Sequence, residues 1–582
     1  LAGLWTAAVR EGRPQPPFLE EGDATWTAVP WPEVASRVDD LAAGFLALGV
    51  RRGDPVAIAS RTRLEWALAD LALMTVGAVV VPVYPGASAA ERAYVLAHSG
   101  AGTVVCEDAA QIAAVARIAA ERGAAPRVVA IEDAGEGDLS LAGVAEEGRC
   151  RRRDGPRALA AARALVAEED VATCVYTSGT TGTPKGCLLT HRNWWEMLGM
   201  VVRIPGLVVP GDVTVLHLPL AHVFARLVEL MALRTGLTVA FCRDTARLGR
   251  ALRAVRPTIV ATVPRVLETV QAGALSEIAR AGGLRGRLAR SALRAGREAV
   301  VREQRGEWPG RGIALLRAAT RRPLERRLAE RLGGRLRHAI SGGAALRRDT
   351  AVDLAALGVT VLEGYGLTEC TTVATANWPG RARVGTVGPP VPGCEVAIAP
   401  DGEILVRGPH VFRGYLGDEE ATRAAVDPEG WLHTGDVGVL DADGYLTITD
   451  RKKDLIVTPG GTNVSPQRIE AALAASRYVS QALVVGEGRP YLAALLVASD
   501  EVDRVARDAD GARALLGGVV ADVNRDLGRE EQVRRFAVLP RPFLAEEGEV
   551  TQTLKLRRRV CEEHFQDEIE RLYQGAAEAP AA

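Results

Sequence analysis

Residues Thr177 to Gly186, TSGTTGTPKG, gather the hydroxyls of Thr177, Ser178, Thr180, Thr181 and Thr183, three glycines and Lys185. Glycines let backbone N–H groups close around an oxyanion, hydroxyls donate further hydrogen bonds, and a lysine supplies a mobile point charge. That combination is the chemistry of a polyphosphate grip. The nucleotide-hydrolase spacing G-x-x-x-x-G-K-[ST] is absent, so the grip is of another kind. The lysine is informative in itself, because of the 71 lysines and arginines only Lys185, Lys452, Lys453 and Lys555 are lysine. They fall in three places: this grip, the basic cluster Asp450 to Asp454, and the stretch TQTLKLRRR from Thr551 to Arg559.

These groups need elements to hold them. Val171 to Tyr176 is an apolar run that reads as a strand leading into the grip, and a helix capped by Asn193 or Thr190 follows. The rhythm recurs along the chain. Pro55 to Ser60, Ala78 to Tyr84 and the run from Thr103 read as short strands, with helical stretches at Leu64 to Met74 and Ala87 to Gly100 between them. Thr214 to Leu220, Leu237 to Cys242, Thr258 to Val263 and Leu336 to Ser341 continue the pattern. Apolar strands alternating with helices predict a parallel sheet covered on both faces. Beyond about Gly385 the style changes: Gly393 to Gly408 and Gly438 to Asp450 each join two alternating runs through an Asp-Gly-containing turn, a hairpin signal. The basic cluster ends that region, and a compact α+β segment follows. The expected domains are 1–450 and 451–582.

At 582 residues the chain exceeds one hydrophobic core, and 48% apolar with 25% charged residues describes a soluble globular protein of enzyme size. A net charge of −1 names no polyanionic partner, and no nucleic acid is expected. The eight cysteines lie scattered without a C-x-x-C pair or nearby histidine spacing, which argues against zinc and against a disulfide framework and fits a reducing cytoplasm. The opening LAGLWTAAVREG carries no basic segment followed by an apolar core, so no signal peptide is read there. The most apolar stretch, Leu71 to Gly86, is interrupted by Gly77, Pro82 and Pro85 and reads as a buried helix end and strand rather than a membrane span. One segment stands out by charge: Arg280 to Arg337 holds 17 Arg against five Glu. Such a stretch suits a solvated helical face, a polyanionic ligand, or peripheral contact with anionic lipid on the inner membrane face.

The loop YTSGTTGTPKG resembles the signature of the adenylate-forming superfamily, which contains acyl-CoA synthetases, luciferases and peptide-synthetase adenylation domains. LPLAHVFAR (Leu218 to Arg226), ISGGAAL (Ile340 to Leu346), EGYGLTE (Glu363 to Glu369), GWLHTGD (Gly430 to Asp436), DRKKDLIV (Asp450 to Val457) and TQTLKLRRR follow in that family's order. GGTNVSPQRIE (Gly460 to Glu470), VVGEGRPYLAALL (Val484 to Leu496) and TLKLRRR resemble the long-chain fatty acyl-CoA ligase branch. The resemblance implies an α/β fold: a large N-terminal domain of parallel α/β layers with a small β-barrel-like subdomain, hinged to a small α+β C-terminal domain. It also implies ATP, Mg²⁺ and coenzyme A as cofactors and a fatty acid as substrate. The activity implied is activation of the acid to an acyl-adenylate with release of pyrophosphate, then transfer to coenzyme A.

A carboxylate attacking the α-phosphate of ATP brings anion against anion, so positioning and electrostatics must carry the catalysis. Carried over to this chain, Ser178, Gly179, Thr180, Thr181, Gly182 and Lys185 would grip the phosphates, and Thr177 and Glu369 would hold Mg²⁺. Tyr365 would stack on adenine, with Gly343, Ala344, Glu363 and Gly364 lining the base and Gly366 and Thr368 in the same stretch. Asp436 would accept the ribose hydroxyls and Arg451 would donate to them. Lys555 would bond the substrate carboxylate and the α-phosphate. His222 matches the position beside the acyl carboxylate, where a satisfied core histidine fits equally well. Lys453 would be the hinge that moves Lys555 out and brings in the loop Val457 to Asn463, with Gly460 and Gly461 lining a pantetheine tunnel. Two positions depart from the pattern. Leu267 stands where long-chain relatives often carry an aromatic gate, and Val457 where many have lysine. Delivery to a carrier protein, an aryl or other hydrophobic acid as substrate, a catalytically silent lipid-binding protein, and a homodimer all stay open.

Overall fold

Strands with no polar face have to be covered on both sides, and this requirement organises the larger part of the molecule. The computed structural model describes residues 1–22, 25–122, 126–132, 139–177, 184–308, 310–313, 326–457, 463–506, 508–544, 546–550 and 556–574. By their contacts they form two units. One comprises Leu1–Ala397, Leu405–His433 and Asp441–Leu446, the other Ile398–Ile404, Thr434–Leu440 and Thr447–Ala582.

In the first unit an eight-stranded sheet runs from edge to edge as Gly414–Tyr415, Lys185–Thr190, Val171–Thr177, Val79–Val83, Pro55–Ala59, Thr103–Cys106, Arg127–Ala130 and Leu139–Ser140. From Val171–Thr177 to Leu139–Ser140 neighbouring strands are parallel, as the α/β rhythm predicts. The other edge is antiparallel. That edge is new relative to the sequence reading, because Lys185–Thr190 begins inside the grip and its first residues read as part of it. The helix Leu64–Thr75, apolar on every side, is buried along nearly its whole length, as expected of a helix without a polar face. A second sheet orders Val213–Leu216, Thr238–Phe241, Phe18–Glu21 and Trp26–Val29. A third orders Ile259–Thr262, His338–Ser341, Val361–Tyr365 and Thr375–Ala376, its first three strands parallel. The carboxyl ends of parallel strands are where open α/β sheets bind ligands. Here those ends carry Thr177, Gly343 and Tyr365 to Glu369.

The helix His191–Val202 has Thr190 as N-cap, whose hydroxyl accepts from the Asn193 N–H at 3.1 Å while the Asn193 amide oxygen accepts from the Thr190 N–H at 2.9 Å. Both residues read as caps therefore act, as two halves of one capping box. The two hairpins predicted beyond Gly385 form a four-stranded sheet in the order Glu395–Ile398, Glu403–Arg407, Leu432–Leu440, Leu446–Arg451.

The second unit has its own core around the sheet Val479–Val485, Leu492–Ala498, Val533–Leu539. Successive side chains of a strand point to opposite faces. Accordingly Ala482, Val484, Leu492, Ala494 and Leu496 pack with Ile469, Leu473, Leu516 and Val520, while Leu483, Val485, Ala493, Leu495 and Val497 pack with Phe543, Phe565, Ile569 and Leu572. The run LAALLVA is apolar throughout because helices cover both of its faces. Among the described residues no helix is long and apolar enough to cross a membrane, and Leu71 to Gly86 spans a helix end and the strand Val79–Val83, as read.

Candidate active site

The two ends of the grip, Thr177 and Lys185, lie on paired strands. Val171–Thr177 pairs antiparallel with Lys185–Thr190, setting Thr177 directly opposite Lys185 and Tyr176 opposite Gly186. A Cβ on Gly186 would lie 2.8 Å from the Cys174 sulfur and 3.2 Å from the Tyr176 ring, so only glycine lets the strands close there. Gly414–Tyr415 adds as the next strand, with Tyr415 opposite Cys187. The Tyr415 hydroxyl donates to Glu369 Oε1 at 2.9 Å. Lys185 Nζ sits 5.0 Å from the centre of the Tyr415 ring and 3.8 Å from Asp418 Oδ2. Lys185 and Glu369, far apart in sequence, thus meet at one tyrosine that sequence reasoning missed, with Thr177 on the strand beside Lys185. Burial first, and then the Glu369 carboxylate, push the Tyr415 phenol well above its ordinary range. The buried Cys187 thiol is raised for the same two reasons.

Glu369 itself is held on a strained turn. Val361–Tyr365 runs through Gly366 into the 3₁₀ turn Thr368–Cys370, and Thr371 and Thr372 follow with φ of 50° and 113°. Left-handed backbone is uncommon outside glycine and strained for a β-branched residue. The conformation persists because the Thr371 hydroxyl donates to the His410 carbonyl at 2.6 Å and the Thr372 hydroxyl to the Val223 carbonyl at 3.2 Å. The Glu369 carbonyl accepts from the Phe412 N–H at 2.8 Å. A Cβ on Gly366 would lie 1.8 Å from the Thr372 carbonyl oxygen, so the turn requires glycine there.

Val223 begins the helix Val223–Thr235, and His222 caps it: its Nδ1 accepts from the Phe224 N–H at 3.2 Å. One ring nitrogen of His222 therefore has a structural partner. One turn further on, Arg226 is fully buried. It bonds Asp70 in the helix Leu64–Thr75 at 2.6 and 3.2 Å and the Thr173 hydroxyl in the strand leading to the grip, between the rings of Trp66 and Trp194. Glu229, also fully buried, has no hydrogen-bond partner for either carboxyl oxygen among the described residues. Burial, reinforced by Asp70, holds its carboxyl well above the usual range.

The predicted base-lining residues follow the ends of the third sheet. Gly343, with φ of 83°, and Ala344 are exposed just past Ser341. Glu363, Gly364 and Tyr365 close the adjacent strand, with Gly364 and Tyr365 opposite Ala376 and Thr375. Burial pushes the Glu363 carboxyl up to about 7, against the backbone N–H groups of Gly385 and Leu346, which favour its charged form.

In the second unit, Arg451 Nε lies 3.1 Å from Asp436 Oδ1, so the two residues expected at the ribose meet each other. Glu403 ties their strands together by accepting from the Gly435 N–H at 2.8 Å and from Lys452 Nζ at 3.0 Å, and Asp401 lies 2.5 Å from the same ammonium. Lys453 is exposed in the turn that follows. Ser178, Gly179, Thr180, Thr181, Gly182, Gly460, Gly461 and Lys555 lie outside the described residues.

Thr177 and Lys185 on paired strands, with Glu369 on a strained turn reaching the same tyrosine as Lys185, form an arrangement of the α/β class suited to a phosphate-bearing ligand. Residues 6–416 match the AMP-binding enzyme family and residues 453–577 the AMP-binding enzyme C-terminal domain, and the chain belongs to that family. It is 38% identical over 567 residues to a long-chain-fatty-acid–CoA ligase, FadD15, of Mycobacterium tuberculosis, covering 95% of this chain and 93% of that one. It is 31% identical to the peroxisomal long chain acyl-CoA synthetase 7 of Arabidopsis thaliana, over 95% of this chain and 82% of the relative. Among solved structures, the adenylation domain of a carboxylate reductase from Mycobacterium chelonae superposes with a TM-score of 0.73 at 25% identity, over 98% of this chain and 91% of that one. ATP-bound MatB from Rhodopseudomonas palustris does so with a TM-score of 0.73 at 24% identity, over 97% and 99% of the two chains, a likeness of fold.

Proposed function

We propose that this protein joins ATP and a fatty acid, most suitably a long-chain one, into an acyl-adenylate with release of pyrophosphate, and then transfers the acyl group to coenzyme A. The observation that carries the reading is the meeting of Lys185 and Glu369 at Tyr415, with Thr177 opposite Lys185, because it gathers what the reaction of two anions requires. The names of the relatives support the fatty acid and coenzyme A. The donor set also suits Mg²⁺. Thr177 and Glu369 offer hard oxygens, and Mg²⁺ needs only one or two protein ligands when nucleotide phosphates complete its shell. When bound, the ion would neutralise phosphate charge.

The residues of the chain divide the remaining work. Lys185 lends its ammonium to the phosphates, and the Tyr415 ring beneath it keeps the charge at the grip. Asp436 accepts from the ribose hydroxyls, a pairing that Arg451 orients. Tyr365, Gly343 and Ala344 take the base, with Glu363 beside them. Lys555 brings a second ammonium to the substrate carboxylate and the α-phosphate, where removal of such a donor typically costs about 10²–10³ in rate. The lid is 451–582, turning about Lys453, with Gly460 and Gly461 serving the pantetheine arm.

We also read peripheral membrane contact from the helix Gly283–Gln304. Its outer face carries exposed Leu284 and Leu288 between exposed Arg287, Arg290 and Arg294, and exposed Trp308 follows. The overall reading is tested by a pyrophosphate-release panel over fatty acids of graded length, with and without coenzyme A. Release that depends on a long-chain acid and leads to thioester is the expected result. Adenylate that accumulates regardless of coenzyme A would redirect the second step to a carrier protein.

A further inference from the structure

Glu549 is a fully buried carboxylate outside every motif used above. A charge in that position survives only when its lone pairs are met, and here four donors meet them. Arg541 grips it two-pronged, Nη1 to Oε2 and Nη2 to Oε1, both at 2.7 Å. The Leu544 N–H donates to Oε2 at 2.8 Å, and His564 Nδ1 lies 2.9 Å from Oε1. The main chain of Glu549 is engaged as fully. Its N–H donates to the Leu544 carbonyl at 3.0 Å, and its carbonyl accepts from the Arg557 N–H at 2.8 Å and from the Cys561 thiol at 3.3 Å.

What these bonds join is specific. Val550, the next residue, forms an antiparallel bridge with Leu556, so Glu549 to Arg557 is closed at its base and the bridge brackets the segment that contains Lys555. On the far side, the helix Arg558–His564 is anchored by Arg558, which bonds the Val484 carbonyl at 2.6 Å and Glu470 at 2.7 Å. A buried ion pair seldom adds net stability over a hydrophobic replacement, whereas a carboxylate satisfied in only one arrangement specifies that arrangement.

From this geometry we infer that Glu549, with Arg541 and His564, is a positioning residue for Lys555: it fixes the two flanks from which the lysine is presented in adenylate formation. The inference rests on the catalytic reading of Lys555. Its test compares the two half-reactions in the full-length protein. Acid-dependent pyrophosphate release reports the first, and thioester formation from supplied acyl-adenylate and coenzyme A reports the second. Misplacing a catalytic group by about 1 Å costs about 10²-fold, so Glu549→Gln should depress the first half-reaction on that scale and leave the second within about twofold, the same margin either way. Arg541→Lys, which keeps the charge and loses the two-pronged bond, should shift the ratio in the same direction and decides the matter should Glu549→Gln not fold. A merely structural role would lower both half-reactions together, and that outcome overturns the inference. So does an unchanged first half-reaction in either variant when Lys555→Ala abolishes it. If Lys555→Ala itself retains adenylate formation, the reading of Lys555 falls instead.

Discussion

The Tyr415 hydroxyl donates to the Glu369 carboxylate and helps to set where that carboxylate points. A hydrogen bond to a charged group contributes about 1.5–3 kcal/mol, and 1.4 kcal/mol is about tenfold in a rate. Tyr415→Phe should therefore lower pyrophosphate release about tenfold or more and raise the Mg²⁺ concentration for half-maximal rate, with little change in the thermal midpoint. An unaltered Mg²⁺ profile would remove Tyr415 from this role. Glu229 makes a prediction of opposite character. Its carboxyl is held above the unfolded value, so the folded state keeps a proton that the unfolded chain releases once the pH passes about 4.5. The cost to stability is absent below that pH and grows above it, by up to about 1.4 kcal/mol per pH unit. Glu229→Gln, which mimics the neutral form, should match the parent protein in thermal midpoint near pH 4.5 and exceed it above that pH; a constant difference would refute the assignment. Thr177 and Lys185 stand out in the sequence because they lie in a short motif with its own chemistry, and Glu369 stands out through the resemblance that EGYGLTE carries. Tyr415 does not, since its contact with Glu369 spans 46 residues and is made by strand pairing. Glu229 lies in the helix Val223–Thr235, and nothing beside it in the sequence sets it apart.

At the scale of elements, the turn that presents Glu369 is the least tolerant part of the site. Gly366→Ala would put a methyl carbon 1.8 Å from the Thr372 carbonyl, against backbone that cannot swing aside. That variant should lose adenylate formation and unfold at a clearly lower temperature, measured by calorimetry alongside pyrophosphate release. Full activity would mean that the turn rearranges freely. The strands themselves were readable, down to the capping box at Thr190 and Asn193. Pro82 is one such case, inside the run Ala78 to Tyr84 that reads as a strand. It breaks an apolar run in sequence, yet it sits in the strand Val79–Val83 opposite Ile58, while contact with Val171–Thr177 is made at Val80, paired with Thr173. The antiparallel edge Lys185–Thr190 escaped notice because its partner Gly414–Tyr415 is only two residues long and lies far along the chain. The strain at Thr371 and Thr372 was invisible for a simpler reason: nothing in a Thr-Thr pair announces positive φ. Only the distant carbonyls of His410 and Val223 make it tolerable.

For the whole molecule, the proposed alternation separates two substitutions. Lys453→Pro fixes φ at the hinge, so it should retain acyl-adenylate formation and lose thioester formation, while Lys555→Ala should show the reverse bias. Equal loss of both steps in both variants would remove the alternation. The helix Gly283–Gln304 predicts sedimentation with vesicles rich in anionic lipid, weakening as salt rises. Replacement of Arg287, Arg290 and Arg294 by glutamate should abolish it, and equal binding to neutral vesicles would argue against an electrostatic surface. The smaller unit adds a mechanical point. Because the strands Val479–Val485 and Leu492–Ala498 send alternate side chains into two separate oily layers, each roofed by helices of the same unit, this piece carries its cohesion within itself. If it turns as the proposed lid, neither layer has to open for it to do so.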